Sequence, residues 1–190
     1  NETVLKVNYK EGTVDLKYEV YINYYEILNG LKSHKRYKAY SDKLNNYINQ
    51  FIPSNTKYIV SLNDDASVKL SEYILEKTGK NYTKKKKPEI FIQDKLRELK
   101  NIEGTVVVVG SCISNGKNLL YISRALRKLD KLRIVYFIGI SRTRNKEYLS
   151  FLKSNLKQGN YGSETNSFIE VETIYCNSNS KNTTWLTEVK

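Results

Sequence analysis

The sequence contains no methionine, two prolines, two cysteines, one histidine and one tryptophan in 190 residues. Each scarcity excludes something. Cys112 and Cys176 are too few for a disulfide framework, so a reducing, cytoplasmic setting is expected. His34 stands alone, with no His/Cys cluster for zinc and no Cys–His pair close in sequence, so neither a metal site nor a catalytic residue is assigned. Two prolines and nine glycines exclude a collagenous or Pro/Gly-rich disordered chain. No apolar run approaches the roughly 18–20 residues of a membrane span. The opening Asn1-Glu2-Thr3 shows no charged-then-apolar leader pattern, and the absence of methionine fits an excised or processed segment.

Aromatic and basic residues are abundant. Sixteen tyrosines and five phenylalanines argue against disorder, and the length suits one sizeable domain with a true core. Thirty-two Lys and Arg against twenty Asp and Glu give a formal charge of +12. That field attracts phosphate-bearing ligands, nucleic acid and acidic protein surfaces. It equally fits the Lys-, Asn-, Ile- and Tyr-rich coding style of AT-rich bacterial genes.

Hydrophobic periodicity organises the chain. Val14, Leu16, Tyr18, Val20 and Ile22 alternate with polar neighbours, as do Leu5, Val7 and Tyr9; with a turn at Glu11-Gly12 this predicts a β-hairpin. Tyr37, Tyr40, Leu44, Tyr47, Ile48 and Phe51 share one helical face, and the helix should stop at Ile52, before Pro53. Strand and helix then alternate. Residues 57–62 (KYIVSL) read as a strand, Asp64-Asp65 as a cap, and 68–77 as a helix closed by Gly79. Residues 80–103 are polar, with a short helix predicted over 93–100. Thr105 to Val109 (TVVVV) is a strand, followed by a loop and a helix burying Leu119, Ile122, Leu126 and Leu129. Residues 133–140 (RIVYFIGI) form a nearly continuous apolar strand. Asn145 caps a helix placing Tyr148, Leu149, Leu152 and Leu156 inward, and a last strand runs over 168–175. Apolar strands separated by helices predict an α/β fold: an open, mostly parallel sheet flanked by helices, with an N-terminal β-hairpin and helix attached.

In such a sheet ligands bind beyond the carboxyl ends of the strands. The loops expected there are 63–67, 110–117 and 141–145. The second carries the chemistry. Ser111, Ser114, Asn115, Gly116, Lys117 and Asn118 lead from a strand into a helix N-terminus, where backbone N–H groups and a lysine make a phosphate cradle. Gly116 either approaches a phosphate or permits the tight turn; Ser111 and Ser114 either donate to a ligand or cap the helix. A P-loop fits poorly, since five residues rather than four separate Gly110 from Gly116 and Asn118 stands where a Ser or Thr would hold magnesium. Arg142 and Arg144, past a strand end, would reach a phosphate or a base, or pair with surface acids.

The run Val106-Val107-Val108-Val109-Gly110-Ser111-Cys112-Ile113-Ser114-Asn115-Gly116-Lys117-Asn118 resembles the central motif of type I phosphoribosyltransferases: an apolar strand, two acids, two residues, then Thr-Thr-Gly-x-Thr or similar. The resemblance covers about residues 35 to 176. It implies that residues 114–118 hold a ribose 5′-phosphate, and that Asn63, Asp64, Asp65, Ala66 and Ser67 correspond to the pyrophosphate loop. It further implies that residues 83–103 correspond to a flexible loop or hood. The paired acids that bind the ribose 2′ and 3′ hydroxyls would fall at Gly110 and Ser111, neither of which carries charge. Losing such charge-assisted bonds costs about 2–4 kcal/mol each in a transition state. The expectation is therefore a 1–33 hairpin extension followed by a 34–190 phosphoribosyltransferase-like domain without turnover. It would need no cofactor and would bind a nucleotide or phosphorylated ribose as sensor or scaffold, as in degenerate domains of bacterial conflict and antiphage systems. A protein partner or oligomer fits this reading, and a membrane does not. The alternatives are an active transferase, acting on phosphoribosyl pyrophosphate (PRPP) through an altered ribose site, and a basic module that binds nucleic acid or a partner protein.

Overall fold

A computed structural model describes residues 6–8, 19–82, 87–98, 103–129, 131–143, 145–159 and 165–175. Strands β1 (Lys6–Asn8) and β2 (Glu19–Tyr21) pair antiparallel, as the hairpin reading expects; the turn read at Glu11-Gly12 falls outside the described residues. Helix α1 (Tyr24–Gly30) follows, capped by the Asn23 side chain, which accepts from the Glu26 N–H. Helix α2 (Lys38–Phe51) ends at Ile52, whose extended backbone is what a residue before proline prefers.

The remaining elements build the sheet. They are β3 (Thr56–Ser61), α3 (Asp65–Thr78), β4 (Glu89–Ile92), β5 (Gly104–Ile113), α4 (Lys117–Leu126), β6 (Leu132–Thr143), α5 (Lys146–Lys157) and β7 (Ser167–Tyr175). The strand order is β4-β3-β5-β6-β7, and every pairing is parallel. The expected open parallel sheet is therefore present.

The valine run shows why both faces are covered. Successive side chains on a strand point to opposite sides. Val106 and Val108 join Leu119, Ile122 and Leu126 of α4 and Leu149, Leu152 and Leu156 of α5. Val107 and Val109 join Tyr24, Ile27 and Leu28 of α1, Leu44 and Ile48 of α2, and Leu70 and Ile74 of α3. Helix α1 thus shares one apolar cluster with the sheet.

A chain of phenols ties this second layer to the strands. Tyr24 and Tyr40 hydroxyls meet at 2.6 Å, and Tyr40 donates to the Gly139 carbonyl at 3.1 Å. Gly139 must lack a side chain, since a Cβ there would sit 2.3 Å from Tyr24 Oη and 2.6 Å from the Ser111 carbonyl oxygen. Burial holds both phenols well above their ordinary pKa.

Several elements differ from the sequence reading. Residues 89–92 add an edge strand inside the stretch read as polar connection, and the predicted helix over 93–100 is a 3-10 turn, Gln93–Glu98. Hydrogen bonding to β3 decides the first point, because four residues carry too little periodicity to show. Helix α3 does close at Gly79 as read, with Gly79 as its C-cap, in a right-handed backbone that continues into a 3-10 turn. Tyr148 is 37% exposed rather than inward. Tyr37, read on the apolar face leading into α2, is buried in the core, as is Tyr24.

Candidate functional site

From β3 the chain crosses to β4 on one side, whereas β5 leads to β6 and β7 on the other. The switch point therefore lies between the carboxyl ends of β3 and β5, where crossovers diverge and leave a crevice. The segments meeting there are the turn at residues 62–64 before α3 and the turn at 114–116 before α4.

The first turn is built around Asp64, the N-cap of α3. Its Oδ1 accepts the Ser67 N–H at 2.8 Å and the Ser111 hydroxyl at 2.9 Å, while Oδ2 accepts the Ser67 hydroxyl at 2.6 Å. Ser67 Oγ in turn accepts the Ser111 N–H at 2.8 Å. The two candidate loops are thus stitched together by one carboxylate and two serines, a link across 47 residues of chain. Asp65 is exposed on the first turn of α3, Ala66 packs against the apolar layer, and Asn63 donates to Asp94 at 2.7 Å.

Strand β5 runs further than TVVVV suggests. Gly110, Ser111, Cys112 and Ile113 remain extended, with Cys112 opposite Ile140 and Ile113 opposite Ser141. Ser111 is consequently a buried strand residue committed to Asp64 and Ser67, apart from the other phosphate-loop candidates. Gly110 faces the α4/α5 layer: a Cβ there would lie 3.0 Å from Leu62, 3.2 Å from Ile138 and 3.4 Å from Ile113 side-chain carbons. A carboxylate at 110 would enter hydrocarbon.

The second turn keeps Ser114, Asn115, Gly116, Lys117 and Asn118 together. Gly116 caps α4 with φ +62°, and a Cβ would meet Leu152 Cδ2 at 2.5 Å, so both conformation and space require glycine. Asn115 Oδ1 accepts the Lys117 N–H at 3.1 Å, and the Asn115 carbonyl accepts the Tyr148 hydroxyl at 2.8 Å. The next two first-turn amides, of Asn118 and Leu119, have no acceptor among the described residues. The Asn118 amide, beside the exposed Lys117 and Asn118 side chains, completes a positive helix end at an exposed position, whereas Leu119 is fully buried. Arg142 is half-buried near the end of β6, in register with Ile174; Arg144 lies outside the described residues. Among the described residues, no group of three or more His, Cys, Asp or Glu gathers to hold a metal.

Sequence reasoning found both turns and missed their union. Asp64 was legible as a cap, but its second role depends on β5 lying beside β3.

These features define a phosphoribosyltransferase-like α/β fold. The solved structure of orotate phosphoribosyltransferase from Aeropyrum pernix is similar, with a TM-score of 0.53 and 14% identity, covering 81% of this chain and 78% of that chain. No family model and no curated protein matches the sequence. No described helix is long and apolar enough to cross a membrane.

Proposed function

We propose that this chain is a phosphoribosyltransferase-like domain that binds a nucleotide or phosphorylated ribose at the switch point and carries out no transfer. The observation supporting this is the split between the two halves of the motif. The 114–118 turn keeps a positive helix end, while a side chain at 110 would press on Leu62, Ile138 and Ile113, and Ser111 is spent on Asp64 and Ser67. Phosphate would sit on the Asn118 amide with Lys117 neutralising it. Retained binding without the paired acids fits a sensor or scaffold, and the resemblance to degenerate domains of bacterial defence systems supports that role.

Thermal shift against nucleotides and ribose 5-phosphate tests the binding. A ligand at 100 times its Kd adds about 2.7 kcal/mol, or roughly 5–10 °C for a domain of this size. Lys117→Glu, on an exposed first turn, should abolish that shift without lowering the melting temperature. No shift with any phosphate ligand, or an undiminished shift in Lys117→Glu, overturns the site.

One observation favours the alternative, an active transferase with an altered ribose site. The Asp64 carboxylate lies 2.9 Å from Ser111 Oγ, so a negative charge stands beside the position of the second family acid. Pyrophosphate release from PRPP across a panel of nucleobases is the test; none means no turnover.

A further inference from the structure

Of six large apolar side chains left exposed among the described residues, three sit on the outward faces of α4 and α5: Tyr121 at 52%, Tyr148 at 37% and Phe151 at 67%. The two helices lie side by side on the same layer. Leu149, Leu152 and Leu156 join the α4 leucines in one cluster, the Tyr148 hydroxyl bonds the Asn115 carbonyl before α4, and Arg127 after α4 bonds the Asn155 carbonyl of α5. Their outward stripes therefore form one surface. The exposed cations Arg124 and Lys128 follow Tyr121 by three and seven residues and the exposed Lys146 opens α5, with Glu147 the one exposed acid on these two helices.

We propose that this face binds single-stranded nucleic acid, bases stacking on the aromatic rings and phosphates meeting the cations. Charge complementarity selects the occupant. A second copy of the chain would bring like charge against like, under an overall charge of +12. An acidic protein would satisfy the charge, but protein interfaces are depleted in lysine, and two of the three cations here are lysines. Rings interleaved with Lys and Arg are the arrangement used to hold unpaired bases without sequence readout. A duplex hides its base faces and would gain only the phosphate contacts. The surface borders the anion-binding turn, since Tyr148 bonds the Asn115 carbonyl, but Tyr121, Arg124, Lys128 and Phe151 lie outside that turn, so the two sites are tested by different substitutions.

Fluorescence anisotropy of a labelled 12-nucleotide single strand tests this, with the matching duplex and a labelled acidic peptide in parallel. The single strand should bind more tightly than the duplex, with a log–log salt slope of about −2 for three neutralised phosphates. Tyr121→Ala and Phe151→Ala should each weaken it on the order of tenfold, and Arg124→Glu with Lys128→Glu should flatten the slope. These side chains are exposed, so unchanged melting temperatures will accompany the losses. The proposal is overturned by no strand binding at 50 mM salt, or by affinity indifferent to both aromatic substitutions. Equal or tighter duplex binding, peptide binding without strand binding, or a dimer dissolved by the aromatic substitutions also overturns it.

Discussion

Replacing Gly139 with alanine adds a single methyl group where the phenol layer meets the sheet. That methyl would sit 2.3 Å from Tyr24 Oη, 2.5 Å from Tyr24 Cζ and 2.6 Å from the carbonyl oxygen of Ser111 on the neighbouring strand. A side chain can swing away, but the β5 backbone cannot, because β5 is hydrogen-bonded to β3 and β6. Overpacking of this kind costs about 1–3 kcal/mol. Moving Tyr24 also breaks the Tyr24–Tyr40–Gly139 chain inside the protein, and a buried hydroxyl without a partner costs about 1–3 kcal/mol more. The expected loss is therefore about 2–6 kcal/mol. With a urea m-value of about 2–3 kcal/mol/M, the unfolding midpoint should fall by roughly 1–3 M. Tyr24→Phe removes Oη and its hydrogen bond but leaves Cζ and the Ser111 carbonyl in the way, so in that background the alanine should cost less by about the hydrogen-bond contribution, a coupling that a double-mutant cycle reads directly. A loss below about 1 kcal/mol, or additive single and double variants, would refute the steric argument.

Two further predictions follow from the same geometry. Asp64→Ala should destabilise by about 1–3 kcal/mol in urea titration, through loss of the α3 cap and of the partners of the Ser67 and Ser111 hydroxyls, whereas Asp64→Asn should retain most of the stability; a loss well under about 1 kcal/mol in Asp64→Ala would show that the cap and its links to β5 contribute little. Alkaline pH should destabilise the fold. Burial raises Tyr24 and Tyr40 well above 10 and pushes Tyr136 up to about 12, so below pH 10 folded and unfolded states are protonated alike. Above it the unfolded chain releases protons that the folded chain keeps, and stability should decline by up to about 1.4 kcal/mol per pH unit for each such phenol, as urea midpoints between pH 9 and 12 will show. A flat profile there contradicts the burial of these groups.

Local signals reached far into this protein. Apolar spacing located α2, α4 and α5, and β-branched runs located β3, β5, β6 and β7 to within a few residues, because each of those elements is long enough to repeat its period. Asp64 and Asn145 announced their caps, with side chains accepting from Ser67 and Tyr148 amides. Helix α1 carried a signal, with Tyr24, Ile27 and Leu28 at helical spacing, but seven residues were too few to stand out. The extent of β5 was hidden because Gly110 and Ser111 are weak strand formers, and pairing with β6 rather than propensity keeps them extended. Tyr148 fell on the predicted inner face, yet only the wedge of α5 aimed at the sheet is covered, and its hydroxyl turns to Asn115 instead.

The sequence alone determined the alternation of strands and helices, the two-faced burial of the valine run and the glycine-led turn into α4. All of these rest on neighbours within one or two helical turns or strand repeats. Tertiary structure alone decided that β3 and β5 lie side by side, that Asp64 therefore reaches Ser111, and that Gly110 looks into hydrocarbon. It also decided which tyrosines are core and which form a basic, aromatic surface. Those outcomes depend on groups tens of residues apart meeting in space, and no local period encodes such a meeting.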